Sequence, residues 1–289
     1  VYESNDQALR AVYQLISWRR YKEALEETQQ LLRKQPEDPD LFALLGQIYL
    51  GMSDHEKALH WSDEALKQDP DHQMAWYIRI VVYYERDDDA AFYEALPEAQ
   101  RIDPYETNYY FFHANLLNKK GKYKEAKEKI LQALAIDSQS PMLLAILSYT
   151  EALLGNVSES HRLDRQAIQY DSENPQLLMY LAWAAGTRGD YKLQETYMRT
   201  VVRIDPDNKQ HRDEYLSALQ QSQWLYRAVL WPTKFLRRLK PWQILAIWIV
   251  AGIIFRPLLL GFIVLYIAAH WISKGIVHVR VFGWGRRGT

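Results

Sequence analysis

Pro39-Asp-Leu-Phe-Ala-Leu-Leu-Gly46-Gln-Ile-Tyr-Leu-Gly51-Met-Ser-Asp54-His-Glu-Lys-Ala58-Leu-His-Trp-Ser-Asp-Glu-Ala65-Leu-Lys-Gln-Asp69-Pro70 is the stretch on which the fold turns. Leu41, Leu45, Ile48 and Tyr49 fall on one helical stripe, and Ala58, Leu59, Ala65 and Leu66 on a second. Gly51 to Asp54 breaks the chain between them, and Asp54 is placed to cap the second helix. Pro70 ends that helix, because proline has no N–H to give and its ring clashes with the preceding turn. The product is a helical hairpin with two apolar faces. One hairpin cannot bury both, so the stretch requires neighbours built like itself.

Those neighbours recur at one spacing. The stop signal returns at Pro36, Pro70, Pro104, Ser138, Ser172 and Pro206, 34 residues apart each time. Asp69, Asp103, Asp137, Asp171 and Asp205 precede it. Small residues recur at Ala24, Ala58 and Ala126, and Ala65, Ala99, Ala133 and Ala167 keep the same register one helical face later. Phe42, Leu45, Gly46, Tyr49, Ala58, Ala65 and Pro70 carry the residue pattern of a 34-residue helix-turn-helix repeat. On these residues the chain resembles the tetratricopeptide repeat family over 5–208, in six units: 5–38, 39–72, 73–106, 107–140, 141–174 and 175–208. The resemblance is closest in 39–72. It is next best in 107–140, where Gly121-Lys-Tyr-Lys-Glu-Ala126 carries it. Units 73–106, 141–174 and 175–208 keep the period but not the glycine of the first helix, and 5–38 keeps only its second half.

What the resemblance implies is an all-α solenoid: a right-handed superhelix whose concave face is lined by the first helix of each unit. Such arrays are stabilised between nearest neighbours and need capped ends. Lys209–Gln223, with Tyr215, Leu216 and Leu219 on one side, reads as the capping helix.

Formal net charge is −1, but it is unevenly distributed. Residues 1–214 hold 25 Lys and Arg against 36 Asp and Glu, whereas 215–289 hold ten basic residues and no acid. A basic, acid-free segment beside apolar sequence suits anionic lipid headgroups. There is no cysteine, which excludes disulfides and thiolate metal sites. Val1–Arg10 is polar, so no cleavable signal is expected there.

From Trp224 the polar face fades. Trp231 and its apolar neighbours interleave with Lys234, Arg237, Arg238 and Lys240, as in a helix lying in a membrane interface. Residues 209–240 are therefore expected to be a capping and juxtamembrane amphipathic segment.

Trp242–Ile272 is the apolar stretch and has one charge, Arg256, which Pro257 follows. As helices, Trp242–Phe255 and Leu258–Ile272 would run about 21 and 22 Å, short of a hydrocarbon core of about 30 Å. One continuous helix of about 46 Å would be too long and would hold Arg256 near its centre. Pro257 also steers Arg256 away from helical dihedrals. The expectation is a membrane hairpin over 241–273 turning at Arg256-Pro257. Trp242 and Trp271 would lie at one interface, and basic flanks would hold both ends on the cytoplasmic side. In the basic tail, 274–289, the stretch Ile276–Trp284 alternates in a strand-like way, which leaves two readings, a strand paired with another chain or a disordered basic end.

Sites of chemistry are not expected. Gly283-Trp-Gly285-Arg-Arg-Gly288 has the spacing of a dinucleotide loop but no helix after it, and His55-Glu56 with His60 misses the i+4 spacing of a zinc helix. No catalytic residue, cofactor or metal is assigned, and no nucleic-acid partner.

The concave face that the resemblance implies would carry Tyr77, Val81, Tyr84, Phe111, Asn115, Asn118, Lys119, Tyr149, Met179 and Trp183. Tyr77, Tyr84, Phe111, Asn115, Lys119, Tyr149 and Trp183 are the candidate partner-binding residues. Where some members of the family clamp a peptide carboxylate, this chain has Ala43, Gln47 and Val81. Trp231, Arg237, Arg238, Trp242, Arg256, Pro257 and Trp271 are the candidate anchoring residues. The expected function is a membrane-anchored adaptor holding a protein in its groove, with an integral membrane protein against the hairpin. The alternatives are an accessory subunit of a membrane enzyme or transport complex, and a membrane-remodelling or targeting factor.

Overall fold

The structure, a computed structural model, describes residues 2–223, 264–268, 270–272, 274–276 and 279. Among the described residues every regular element is a helix. The chain divides into two compact units, Val1–Ser138 and Gln139–Thr289.

Unit 1 holds α1 (Tyr2–Ser17), α2 (Tyr21–Lys34), α3 (Pro39–Gly51), α4 (His55–Gln68), α5 (Gln73–Glu85), α6 (Asp89–Ile102), α7 (Thr107–Lys119) and α8 (Tyr123–Ile136). Unit 2 holds α9 (Pro141–Leu154), α10 (Val157–Tyr170), α11 (Pro175–Arg188), α12 (Tyr191–Ile204) and α13 (Lys209–Ser222). From α3 onward the odd-numbered helices begin 34 residues apart, and so do the even-numbered ones from α2.

Local chemistry sets the boundaries. Asp38, Asp54, Asp88, Glu106, Asn174 and Asn208 accept hydrogen bonds from backbone N–H groups of the helices they precede, satisfying donors that a first turn leaves unpaired. Pro39, Pro141 and Pro175 stand in the first turn, where a missing N–H costs nothing. The turn inside each hairpin passes through a left-handed residue at Arg19, Ser53, Asp87, Gly121, Gly155 and Gly189, again 34 apart. Only the last three are glycine, the residue that takes positive φ without a Cβ clash.

Packing follows the sequence stripes. Leu41, Leu45 and Ile48 are at most 1% exposed, and Ala24, Ala58, Ala65, Ala99, Ala126, Ala133 and Ala167 are fully buried. Small residues let helix axes approach. At Gly46 an added Cβ would stand 3.3 Å from the Ala58 carbonyl oxygen and 3.1 Å from Ile78 Cδ1. In unit 1, α3 packs on α4 and on α5; in unit 2, α9 packs on α10 and α11, α11 on α12, and α12 on α13.

The first half of 5–38, where the residue pattern of the repeat is lost, is still the helix α1, whose Val12 is fully buried. Two sequence expectations need amendment or fall outside the described residues. Ile276 and Val279, read as the start of a strand, are helical. β-propensity is a weak, context-dependent preference, and a strand without a partner has nothing to bond to. Of the 241–273 hairpin, only 264–268 and 270–272 are described, all helical. Trp231, Arg237, Arg238, Trp242, Arg256 and Pro257 lie outside the described residues. Among the described residues no helix is long and apolar enough to cross a membrane.

Candidate functional site

Two aromatic surfaces stand where the sequence places partner-binding residues, one in each unit. In unit 1 they come from α5 and α7. Tyr77 and Tyr84 are seven residues apart, two helical turns, and so share a face of α5. Both are half-buried. Tyr77 lies against Tyr109, with ring centroids 6.3 Å apart, and Tyr84 against Phe112 at 4.7 Å. Burial, then Glu106 and Glu85, pushes the Tyr77 phenol up to about 12. Burial, then Asp87 and Glu85, raises that of Tyr84. Both hydroxyls therefore stay protonated and able to donate at any physiological pH.

Lys119, at the end of α7, is exposed and pairs with Asp87 at 2.7 Å. Asn115 is half-buried on the same helix. Phe111 differs from the others. It is 5% exposed and stacks edge-on against Phe112 at 5.6 Å, so its ring belongs to the packing.

In unit 2, Tyr149 of α9 meets Trp183 of α11 at 6.1 Å and Tyr180 at 6.4 Å, while Tyr180 and Trp183 make a T-shaped pair at 5.1 Å. Tyr149 and Trp183 are half-buried. Tyr180, which the sequence reading did not select, is 6% exposed and supports them from below.

Unit 2 also holds a polar core. Ser148 on α9 and Ser160 on α10 exchange hydrogen bonds: Ser148 Oγ donates to the Ser160 carbonyl at 2.9 Å, and Ser160 Oγ to the Ser148 carbonyl at 2.8 Å. The one Ser148 hydroxyl proton is shared between the Ser160 carbonyl and the Asp164 carboxylate, both acceptors. Arg188, at the end of α11, donates to Asp164 Oδ2 at 2.5 Å, and to Ser160. The side chains of Arg188 and Asp164 are 0% and 4% exposed.

A third surface belongs to the C-terminal helical residues. Val264, Leu265, Tyr266, Ile267, Trp271, Ile272, Ile276 and Val279 are all exposed, at 41–66%. Lys274 Nζ stands 5.8 Å from the centre of the Trp271 ring. Gln220 of α13 donates to His270 Nδ1 at 3.1 Å, tying this helical stretch to α13.

Among the described residues no group of three or more His, Asp or Glu is disposed to hold a metal. His55 is engaged with Glu85 at 2.8 Å, and His60 meets the Trp61 ring edge-on.

The tetratricopeptide repeat family matches residues 15–79 and 107–140. The chain contains tetratricopeptide repeats. A tetratricopeptide repeat protein from Parabacteroides merdae shares the fold with a TM-score of 0.60 at 12% identity, over 73% of this chain and 82% of that one. PilW, a type IV pilus biogenesis factor, does so with a TM-score of 0.55 at 15% identity, over 86% and 95%. At these identities the likeness is one of fold. An N-terminal acetyltransferase A complex subunit-like protein of Schizosaccharomyces pombe is 28% identical over 140 residues. That match takes in 48% of this chain and 20% of the relative, so the chain spans about a fifth of that relative's length.

The repeat frame explains the polar core. Ser148 and Ser160 occupy the register of Gly46 and Ala58, and of Ala114 and Ala126. Asp164 occupies that of Ser62, Leu96 and Ile130. Polar residues in positions that are small or apolar elsewhere were the available sequence signal; the sequence reading followed the small residues and passed over them.

Proposed function

We propose that the chain is a membrane-anchored tetratricopeptide adaptor, holding a protein partner on the inner face of its repeats and fixing it at a bilayer through the C-terminal segment. The observation that carries the membrane half is the row of exposed apolar side chains from Val264 to Val279. A helix of a water-soluble protein turns such residues inward, and monomers rarely leave large contiguous apolar patches uncovered. The segment's composition agrees: residues 215–289 carry ten basic residues and no acid, which suits anionic headgroups. Trp271, with Lys274 over its ring, pairs an aromatic and a cation as interfacial residues do. The apolar stretch Trp242–Ile272, broken at Arg256-Pro257, would form a hairpin that returns the C-terminus to the side of the repeats. That side is the cytoplasmic one by the charge of the flanks. The hairpin is also short enough to favour an integral membrane partner against it.

The partner half rests on the half-buried aromatics Tyr77, Tyr84, Tyr149 and Trp183, residue types that often dominate binding energy when a partner covers them. A second reading, an accessory subunit of a larger enzyme or transport complex, draws on the resemblance to an acetyltransferase complex subunit-like protein.

Protease protection in sealed, oriented vesicles tests the topology. A tag after Thr289 is expected to be protected whenever the repeats are protected. Opposite accessibility of the two ends would contradict the hairpin.

A further inference from the structure

Unit 1 holds its own cations in a repeated way: over an aromatic ring, with a carboxylate alongside. Lys57 Nζ stands 5.1 Å from the Tyr49 ring centre and 2.8 Å from Asp54. Lys120 Nζ stands 4.5 Å from Tyr93 and 2.8 Å from Asp89. Arg79 lies over Tyr83 at 5.5 Å and Trp76 at 5.7 Å, and pairs with Asp63. The attraction has two sources, the negative face of the ring and the charge of the acid.

On the face shared by α5 and α7 the same combination stands without the cation. Tyr77 and Tyr84 are half-buried, and among the described residues neither has a lysine or arginine over its ring. Carboxylates flank both rings: Glu85 directly follows Tyr84 at the end of α5, Asp87 lies two residues further on, and Glu106 caps α7, the helix whose Tyr109 meets Tyr77. Burial first, and these acids second, hold the two phenols up. Glu85 and Asp87 are 45% and 73% exposed; Glu85 has a hydrogen bond to His55, and Asp87 a surface ion pair with Lys119 of the kind that exchanges readily. The surroundings add to the field. Residues 39–106 hold 15 Asp and Glu against five Lys and Arg.

We infer that this face of unit 1 docks a cationic peptide segment, whose lysine or arginine side chains lie over Tyr77 and Tyr84 with Glu85, Asp87 and Glu106 as counter-charges. The inference rests on the reading of the repeats as a protein-binding surface, and goes further by fixing the charge of what binds. It excludes an acidic segment, which would meet three carboxylates of its own sign.

Fluorescence polarisation of the full chain in a non-ionic detergent tests it, with short labelled peptides alternating arginine with serine, glutamate with serine, and glutamine with serine. The arginine peptide is expected to bind, and to bind more weakly as salt rises. Tyr84→Leu and Glu85→Gln are each expected to weaken it by about three- to tenfold, and Tyr84→Phe to restore most of the loss, since the ring face is what attracts the cation. The melting temperature of each variant should match that of the parent. No binding of the arginine peptide, or binding that ignores Tyr84→Leu and Glu85→Gln, overturns the inference. Tyr84-dependent binding of the glutamine or glutamate peptide in preference to the arginine one also overturns it, while leaving the repeats a protein-binding surface.

Discussion

The two units solve the same packing problem with opposite chemistry. In unit 1 the crossing of paired helices is closed by Gly46 against Ala58, by Ile80 with Phe92, and by Ala114 with Ala126, all apolar. In unit 2 the same register holds Ser148 and Ser160, joined to a buried Asp164 and Arg188. Apolar crossings tolerate small errors of register, because dispersion and burial are non-directional. A buried hydrogen-bonded ion pair does not, since each member left without its partner is costly. Unit 2 thus obtains a uniquely specified stacking of α9, α10 and α11, and accepts more fragility at a single point.

The largest effect should come from breaking that network. Asp164→Ala leaves the buried Arg188 guanidinium with only the longer ion pair to the part-exposed Asp190, at 3.4 Å, and is expected to destabilise unit 2 by up to about 3–5 kcal/mol in chemical denaturation. Replacing the network as a whole sharpens the comparison. With Ser148→Ala, Ser160→Ala, Asp164→Ile and Arg188→Leu together, the crossing becomes the kind found in unit 1. Stability is then expected to be unchanged or raised by about 1–4 kcal/mol. A combined variant as unstable as Asp164→Ala alone would show that the region depends on shape and not on charge pairing.

A smaller effect, in pH, belongs to unit 1. Burial, then Lys129, lowers His113 to about 4 in the folded chain, against about 6.5 when unfolded. Between those values the unfolded state binds more protons, so stability falls as pH drops from about 6.5 to about 4 and levels off below. The ring is partly exposed, so a loss of about 1–2 kcal/mol is expected after allowing for solvent screening. The loss should be missing from His113→Phe when its denaturation midpoints are compared with those of the parent across that range.

The smallest effects come from the hairpin turns. Gly155, at φ +84°, and Ser53, at +59°, occupy the same left-handed position in different units. Gly155→Ala should cost about 1 kcal/mol, and Ser53→Gly should gain several tenths, because only the side chain's clash in that region changes. Opposite signs for the two, read by thermal denaturation, would mark the turn position as one structural site repeated along the chain.

How much could be read in advance divides along physical lines. Helix ends are set by neighbours in sequence, which is why Asp54 and Pro70 announce them. The 34-residue period is carried by the same local punctuation. Periodicity assigns a residue to a face but not a depth, so Phe111 and Tyr84 looked alike until packing separated them at 5% exposure and half-burial. The Ser148–Arg188 network needed three helices to be in place before its members met. At Ile276 and Val279 an alternating pattern was outweighed by the helical residues that precede it.

The account's central claim is that one chain carries a partner on its repeats and a bilayer on its C-terminal segment. Flotation of the full chain with the arginine peptide and vesicles of phosphatidylcholine containing phosphatidylserine tests both halves together. The peptide is expected to rise with the vesicles only when the protein is present. It should stay behind when Tyr84→Leu and Glu85→Gln are combined, although that protein still floats. Protein that remains at the bottom of the gradient, or that floats without bringing the peptide with it, would contradict the account.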